Sequence, residues 1–216
     1  MIEIIIHGRG GQGGVTLAKL IAAAYFRAGK HVQAFGLYAA ERSGAPVQAF
    51  VRIDDREIAN HNQIQTPDHV IVLDPTLIGP AVTVGLKPGG WIILNARQDA
   101  VEFASAYPGR NVAVIDATGL AVQNGLGTRA VPIVNTTMFG AVARVLKLNI
   151  EDVEGALAHA HFSGGNAIAA WQAFEGVRFT KLAGTVAAAG AAPPSVEPAS
   201  LLDETVGASP RIKTES

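Results

Sequence analysis

Residues 2–28, IEIIIHGRGGQGGVTLAKLIAAAYFRA, decide the fold. The run 2–6 is short and apolar but for Glu3, the pattern of a strand covered on both faces. A glycine-rich stretch from Gly8 to Gly14 follows, and then a helical pattern over residues 15–28 that Gly29 ends. Along that helix Thr16, Lys19 and Arg27 leave only a narrow polar stripe. Tyr25, Phe26 and the alanines fill the remainder, so the spacing predicts packing on more than one side. Gly8, Gly10 and Gly13 match G-x-G-x-x-G between a strand and a helix. Small residues there let the chain turn tightly, and the free N–H groups at a helix start favour an anion. The same glycines equally suit a turn that allows close helix–sheet packing, or packing against another subunit.

Outward from this unit, strand and helix patterns alternate. Residues 31–35 read as a second strand. Residues 47–53 alternate, with Val47, Ala49, Val51 and Ile53 on one side and Gln48 and Arg52 on the other, which predicts a half-exposed strand near a sheet edge. Apolar runs at 70–73, 91–94 and 112–115 read as inner strands, separated by helical patterns at 75–83 and 98–107. This order predicts an α/β fold: a Rossmann-like, doubly wound, mostly parallel sheet. C-terminal helices follow at 136–146, 150–160 and 166–174, with Asn135 and Asn149 as N-caps of the first two. After Lys181 the chain turns to Ala, Gly, Pro and Ser, too poor in large apolar groups to fold by itself. Residues 1–182 are therefore expected to form the Rossmann-like domain, and 183–216 an extended linker or subunit-docking tail.

The chain has 216 residues, a net charge of −1, 49% hydrophobic and 16% charged residues. Near-neutral charge argues against a nucleic-acid binder, and so apolar a balance suits a surface partly covered by a partner. With no cysteine, this chain has no thiolate for an iron–sulfur cluster, a zinc site or nucleophilic catalysis, and an intracellular, cytoplasmic setting is expected. No apolar run reaches 18 residues, so no membrane span is expected, and the first residues lack the pattern of a signal peptide.

Charge and spacing sharpen the reading of the glycine-rich stretch. No acid lies between Glu3 and Glu41, while Arg9, Lys19, Arg27 and Lys30 do, which predicts a locally positive field. An NAD site calls for an acid at the end of the second strand, where this chain has Gln33, Ala34, Phe35 and Gly36. No Gly-Lys-Ser/Thr follows, so a P-loop is excluded. Residues 40–46, AERSGAP, place Glu41 and Arg42 in a loop able to reach a ligand or partner, or simply to stay solvated. Asp74 before Pro75 reads as a helix cap at the sheet edge where ligands bind, and Asn95 as a turn cap. His7 reads as a core histidine. His159 and His161 are two apart and form no metal pair, and Ser43 has no readable triad, so no catalytic or metal-ligating residue is assigned.

Taken together, GRGGQGGVTLAKLIA (8–22), QAFGLYAAERSGAPVQAFVRI (33–53) and PDHVIVLDPTL (67–77) resemble the gamma subunit of the 2-oxoacid:acceptor oxidoreductases, the pyruvate:ferredoxin oxidoreductase family. The resemblance runs from about Ile2 to Phe174. It implies a subunit of a complex that decarboxylates a 2-oxoacid on thiamine diphosphate and Mg2+, passes electrons through [4Fe-4S] clusters and transfers the acyl group to coenzyme A. The partners implied are alpha, beta and delta-type subunits, which would hold the thiamine and the clusters. Coenzyme A is a polyanion, and the implied contacts for it are Gly8, Arg9, Gly10, Gly11, Gln12, Gly13 and Arg42. An autonomous nucleotide-binding Rossmann enzyme and a pure assembly scaffold are the alternatives. The 2-oxoacid (pyruvate, phenylglyoxylate, indolepyruvate or 2-oxoglutarate) and the acceptor (ferredoxin or NAD) are not legible here.

Overall fold

A computed structural model describes residues 1–37, 44–128 and 130–180. Its strands are β1 (Ile2–Arg9), β2 (His31–Leu37), β3 (Pro46–Asp54), β4 (His69–Val72), β5 (Trp91–Asn95), β6 (Asn111–Ile115) and β7 (Arg178–Thr180). The helices are α1 (Gly14–Arg27), α2 (Ala100–Ala104), α3 (Ala117–Gln123), α4 (Asn135–Val145), α5 (Ile150–His159) and α6 (Gly165–Gly176). The sheet runs β2-β3-β1-β4-β5-β6-β7. β1, β4, β5 and β6 pair parallel; β3 is antiparallel to both its neighbours, and β7 to β6. Five strands thus run one way and two the other, the mostly parallel α/β architecture expected from the alternation.

The apolar runs become inner strands because both faces are covered. On one face Ile4, Ile6, Ile71, Leu73 and Ile93 pack with Leu17 and Leu20 of α1 and Phe139 of α4. On the other, Val70, Val72, Ile92 and Leu94 lie under Val82, Leu86 and Phe103. This second layer is thin. The helical pattern at 75–83 resolves into two 3-10 turns, Pro75–Leu77 and Pro80–Thr83, and that at 98–107 into the five residues of α2. Asp99 and Glu102 close a capping box at its start.

β3 lies next to the edge strand β2, near the sheet edge as expected, but differs from expectation in burial. Ala49, Val51 and Ile53 join the α1-side core, while Phe50 packs with Ile5 and Ile64 on the opposite face. That face is not wet, because residues 55–66 cross it. Arg52, 1% exposed, holds them there: it donates to Glu3 Oε1 (2.9 Å), Gln33 Oε1 (2.9 Å) and the carbonyls of Asn60 (3.1 Å) and Asn62, with its guanidinium over the Phe35 ring. β3 is therefore an interior strand, and β2 is the edge.

Two further expectations change. Asn135 is the first residue of α4 and not its cap, a position taken by Val134. Phe26 is not packed; it is 68% exposed among the described residues. Asn149 does cap α5, accepting from the Glu151 N–H. The proposed tail, residues 183–216, lies outside the described residues, as do Glu41, Arg42 and Ser43. Among the described residues no helix is long and apolar enough to cross a membrane.

Candidate functional site

β1, β4 and β5 end side by side, and the segments that follow them meet at this carboxyl edge, the usual ligand edge of such sheets. Gly8 and Arg9 close β1; Gly10, Gly11 and Gln12 make the turn; Gly13 precedes α1 with φ 83. At Gly13 only glycine fits. The positive φ disfavours any side chain, and a Cβ would stand 2.6 Å from Asn135 Nδ2, since α4 starts directly over the turn.

A compact polar network shapes the turn. Gln12 Oε1 accepts the Arg9 N–H (2.8 Å), and its Nε2 donates to Asp74 Oδ2 (2.6 Å). Asp74 also caps the following 3-10 turn, its Oδ1 accepting from the Thr76 N–H (2.9 Å) and hydroxyl (2.5 Å). Arg9 donates to Thr76 Oγ1 (2.7 Å from Nη2) and to the Gly44 carbonyl (3.1 Å), with Asp74 Oδ2 at 3.5 Å from its Nε. The Gly10 N–H reaches the Ala45 carbonyl at 2.9 Å, and the Gly44 N–H the Gly10 carbonyl at 3.3 Å. The turn is thus laced to the residues just after 38–43. Sequence reasoning placed Arg9 in an unopposed positive field; the fold brings Asp74 against it from 65 positions on, so that field is locally balanced. The start of α1 itself carries no capping side chain and no acid in its first turn.

Of the residues singled out from sequence, Gly8, Arg9, Gly10, Gly11, Gln12 and Gly13 come together here, and Arg42 lies outside the described residues. Asp74 acts as the expected cap and, beyond expectation, as the anchor of the turn. Asn135, expected as the cap of α4, instead starts that helix with its side chain over Gly13. Asn95 is turned inward: it donates to the Leu73 carbonyl (2.7 Å) and Thr118 Oγ1 (2.9 Å) and accepts the Thr118 N–H, tying β4 to the start of α3. No group of three or more metal-ligating side chains exists among the described residues.

His7, beside Gln48 across the β1–β3 pair, has its pKa pushed down to about 4 by burial. It is neutral when folded, whereas an unfolded histidine titrates near 6.5. The unfolded chain therefore binds more protons between these values, and stability present above pH 6.5 is lost as pH falls toward 4. The expected loss is at most about 3 kcal/mol. Urea unfolding at pH 7 and pH 4.5 measures it, and His7→Asn should shrink the difference.

A glycine turn after the first strand, at the carboxyl edge of a mostly parallel sheet, defines a Rossmann-like α/β domain. Its family follows from comparison with known proteins. The chain belongs to the pyruvate ferredoxin/flavodoxin oxidoreductase family, which matches residues 3–177. It is 46% identical, over 81% of its length and 96% of the relative's, to the pyruvate/ketoisovalerate oxidoreductases common subunit gamma of Thermococcus kodakarensis. It is 47% identical to pyruvate synthase subunit PorC of Methanocaldococcus jannaschii, over 73% of this chain and 84% of the relative. The crystal structure of pyruvate oxidoreductase subunit PORC from Thermotoga maritima superposes with a TM-score of 0.71 at 35% identity, covering 83% of this chain and 98% of that one.

Proposed function

We propose that this chain is the gamma subunit of a multisubunit 2-oxoacid:acceptor oxidoreductase that oxidatively decarboxylates a 2-oxoacid to its acyl-CoA, and that it has no activity alone. The observation that supports this reading is that the match spans 96% of one relative named as a gamma subunit and 98% of a solved PORC subunit. Thiamine diphosphate, Mg2+ and [4Fe-4S] clusters then sit on alpha, beta and delta-type partners, in a cytoplasmic complex; a chain with no cysteine does not fit a cluster. The Thermococcus relative is named as common to pyruvate and ketoisovalerate oxidoreductases, which suits a subunit that does not itself select the 2-oxoacid.

The glycine-rich turn is assigned to coenzyme A access, with the uncapped start of α1 toward the phosphates. Arg9 serves this by holding the Gly44 carbonyl and so the start of the 44–46 stretch, instead of meeting the anion as a free cation. The alternative role, a contact with a partner subunit, uses the same turn. The autonomous dinucleotide enzyme is disfavoured further by topology: antiparallel β3 separates β1 from β2, and β2 carries no acid.

The test is expression with and without the accompanying subunits. The isolated chain should show no 2-oxoacid oxidation and no turnover with a nicotinamide dinucleotide. The assembled complex should be active, and Arg9→Ala in it should raise the KM for coenzyme A about tenfold, roughly 1.4 kcal/mol. An unchanged KM with lost assembly would move the turn to the subunit interface.

A further inference from the structure

A groove of about 670 Å³ runs along the outer side of α1, beside β2 and the end of α5. Ala23, Phe26 and Phe162 give it an apolar floor, and Phe26 is largely exposed. Its rim carries two cations, Lys19 and Arg27, with His159 beside them. Lys19 has no ion pair among the described residues, and Arg27 has only Asp152, at 3.9 Å, with its side chain 48% exposed. An apolar trough with cationic edges calls for an apolar segment flanked by acids.

The chain itself contains such a segment. Residues 195–206 read SVEPASLLDETV: Val196, Leu201, Leu202 and Val206 with Glu197, Asp203 and Glu204. No Lys or Arg occurs between Lys181 and Arg211, and residues 183–194, AGTVAAAGAAPP, have the composition of a linker. The family match ends at residue 177, so this segment lies outside what the chain shares with its family. Its reach is sufficient. The described chain ends in β7, six strand spacings from β2, or roughly 29 Å. Some fifteen residues of linker span up to roughly 50 Å.

We propose that residues 195–206 dock in the groove of their own chain, with Leu201 and Leu202 against Phe26 and Phe162 and the acids toward Lys19, Arg27 and His159. Tethering holds the segment at an effective concentration in the millimolar range, so modest contacts suffice. The tail thereby covers the Phe26 side chain that the described residues leave exposed.

A photoreactive diazirine analogue of leucine at position 202 of the full-length chain, irradiated both alone and in the assembled complex, tests this. The expected adduct joins residue 202 to α1 or to residues 160–162 of the same chain, at a yield that dilution does not change. Lys19→Glu with Arg27→Glu should cut that yield about tenfold, and Glu197→Lys, Asp203→Lys and Glu204→Lys added to that pair should restore it. An adduct to a second copy, an adduct to another subunit, or no adduct in the groove overturns the proposal.

Discussion

Gly140→Ala is expected to lower the unfolding free energy by about 3 kcal/mol, against the helix-propensity gain of about 1 kcal/mol that alanine normally brings. α4 and α6 touch backbone to backbone at this position. A Cβ on Gly140 would lie 1.8 Å from the Ala170 carbonyl oxygen, 2.6 Å from its carbon and 2.9 Å from its Cα. No rotamer change relieves such a contact, because the obstacle is main chain; α4 must move away from α6 and reopen the layer that Ala169, Ala170 and Ala173 fill. Since α4 also places Asn135 over Gly13, the displacement should propagate to the glycine-rich turn. For a domain of this size the thermal midpoint should drop by roughly 6–12 °C. Calorimetry of the variant checks it, and an unchanged midpoint would remove the close helix contact from the account.

Arg52→Met should be at least as damaging, at about 3–5 kcal/mol, because it removes one partner of a buried ion pair and not the pair. Glu3 would keep a carboxylate with 13% exposure and no cation, and the Asn60 and Asn62 carbonyls would lose their donor. The double variant Glu3→Gln/Arg52→Met should recover part of the loss, since it deletes the orphaned charge. Residues 55–66, which Arg52 clamps across the sheet, should then be cleaved faster in limited proteolysis. Chemical denaturation of both variants separates these terms: a double variant no better than Arg52→Met would assign the cost to lost packing over Phe35 instead.

What could be read from the sequence follows from what hydrophobic pattern encodes. The middles of β1, β4, β5 and β6 are buried on both faces, so each has an apolar core, residues 4–6 in β1, and their order with the helices was legible. Direction was not: the alternation in 47–53 reports which residues share a face, and says nothing of whether the strand runs against its neighbours. Nor could the pattern report that residues 55–66 fold over Phe50 and Arg52 and make an apparently wet face dry. β7 and α3 are too short to leave a period. At the turn, Gly13 was legible as a position needing a small residue, but its anchor Asp74 and the overlying Asn135 were not, because both arrive from distant parts of the chain. Each reads locally as a helix cap. For Asp74 that reading holds alongside its second role; for Asn135 it does not.

The placement of β2 at the end of the sheet bears on how the protein behaves in the test tube. Seven residues, HVQAFGL, present one row of main-chain donors and acceptors that no described strand takes up, and none of them is Lys, Arg, Asp, Glu or Pro. Among the described residues the opposite margin is the three-residue β7, which includes Arg178. Long edges without charge or proline are templates for strand-to-strand association. When the subunit is made without its partners, loss to precipitation should therefore begin at β2 and not at β7.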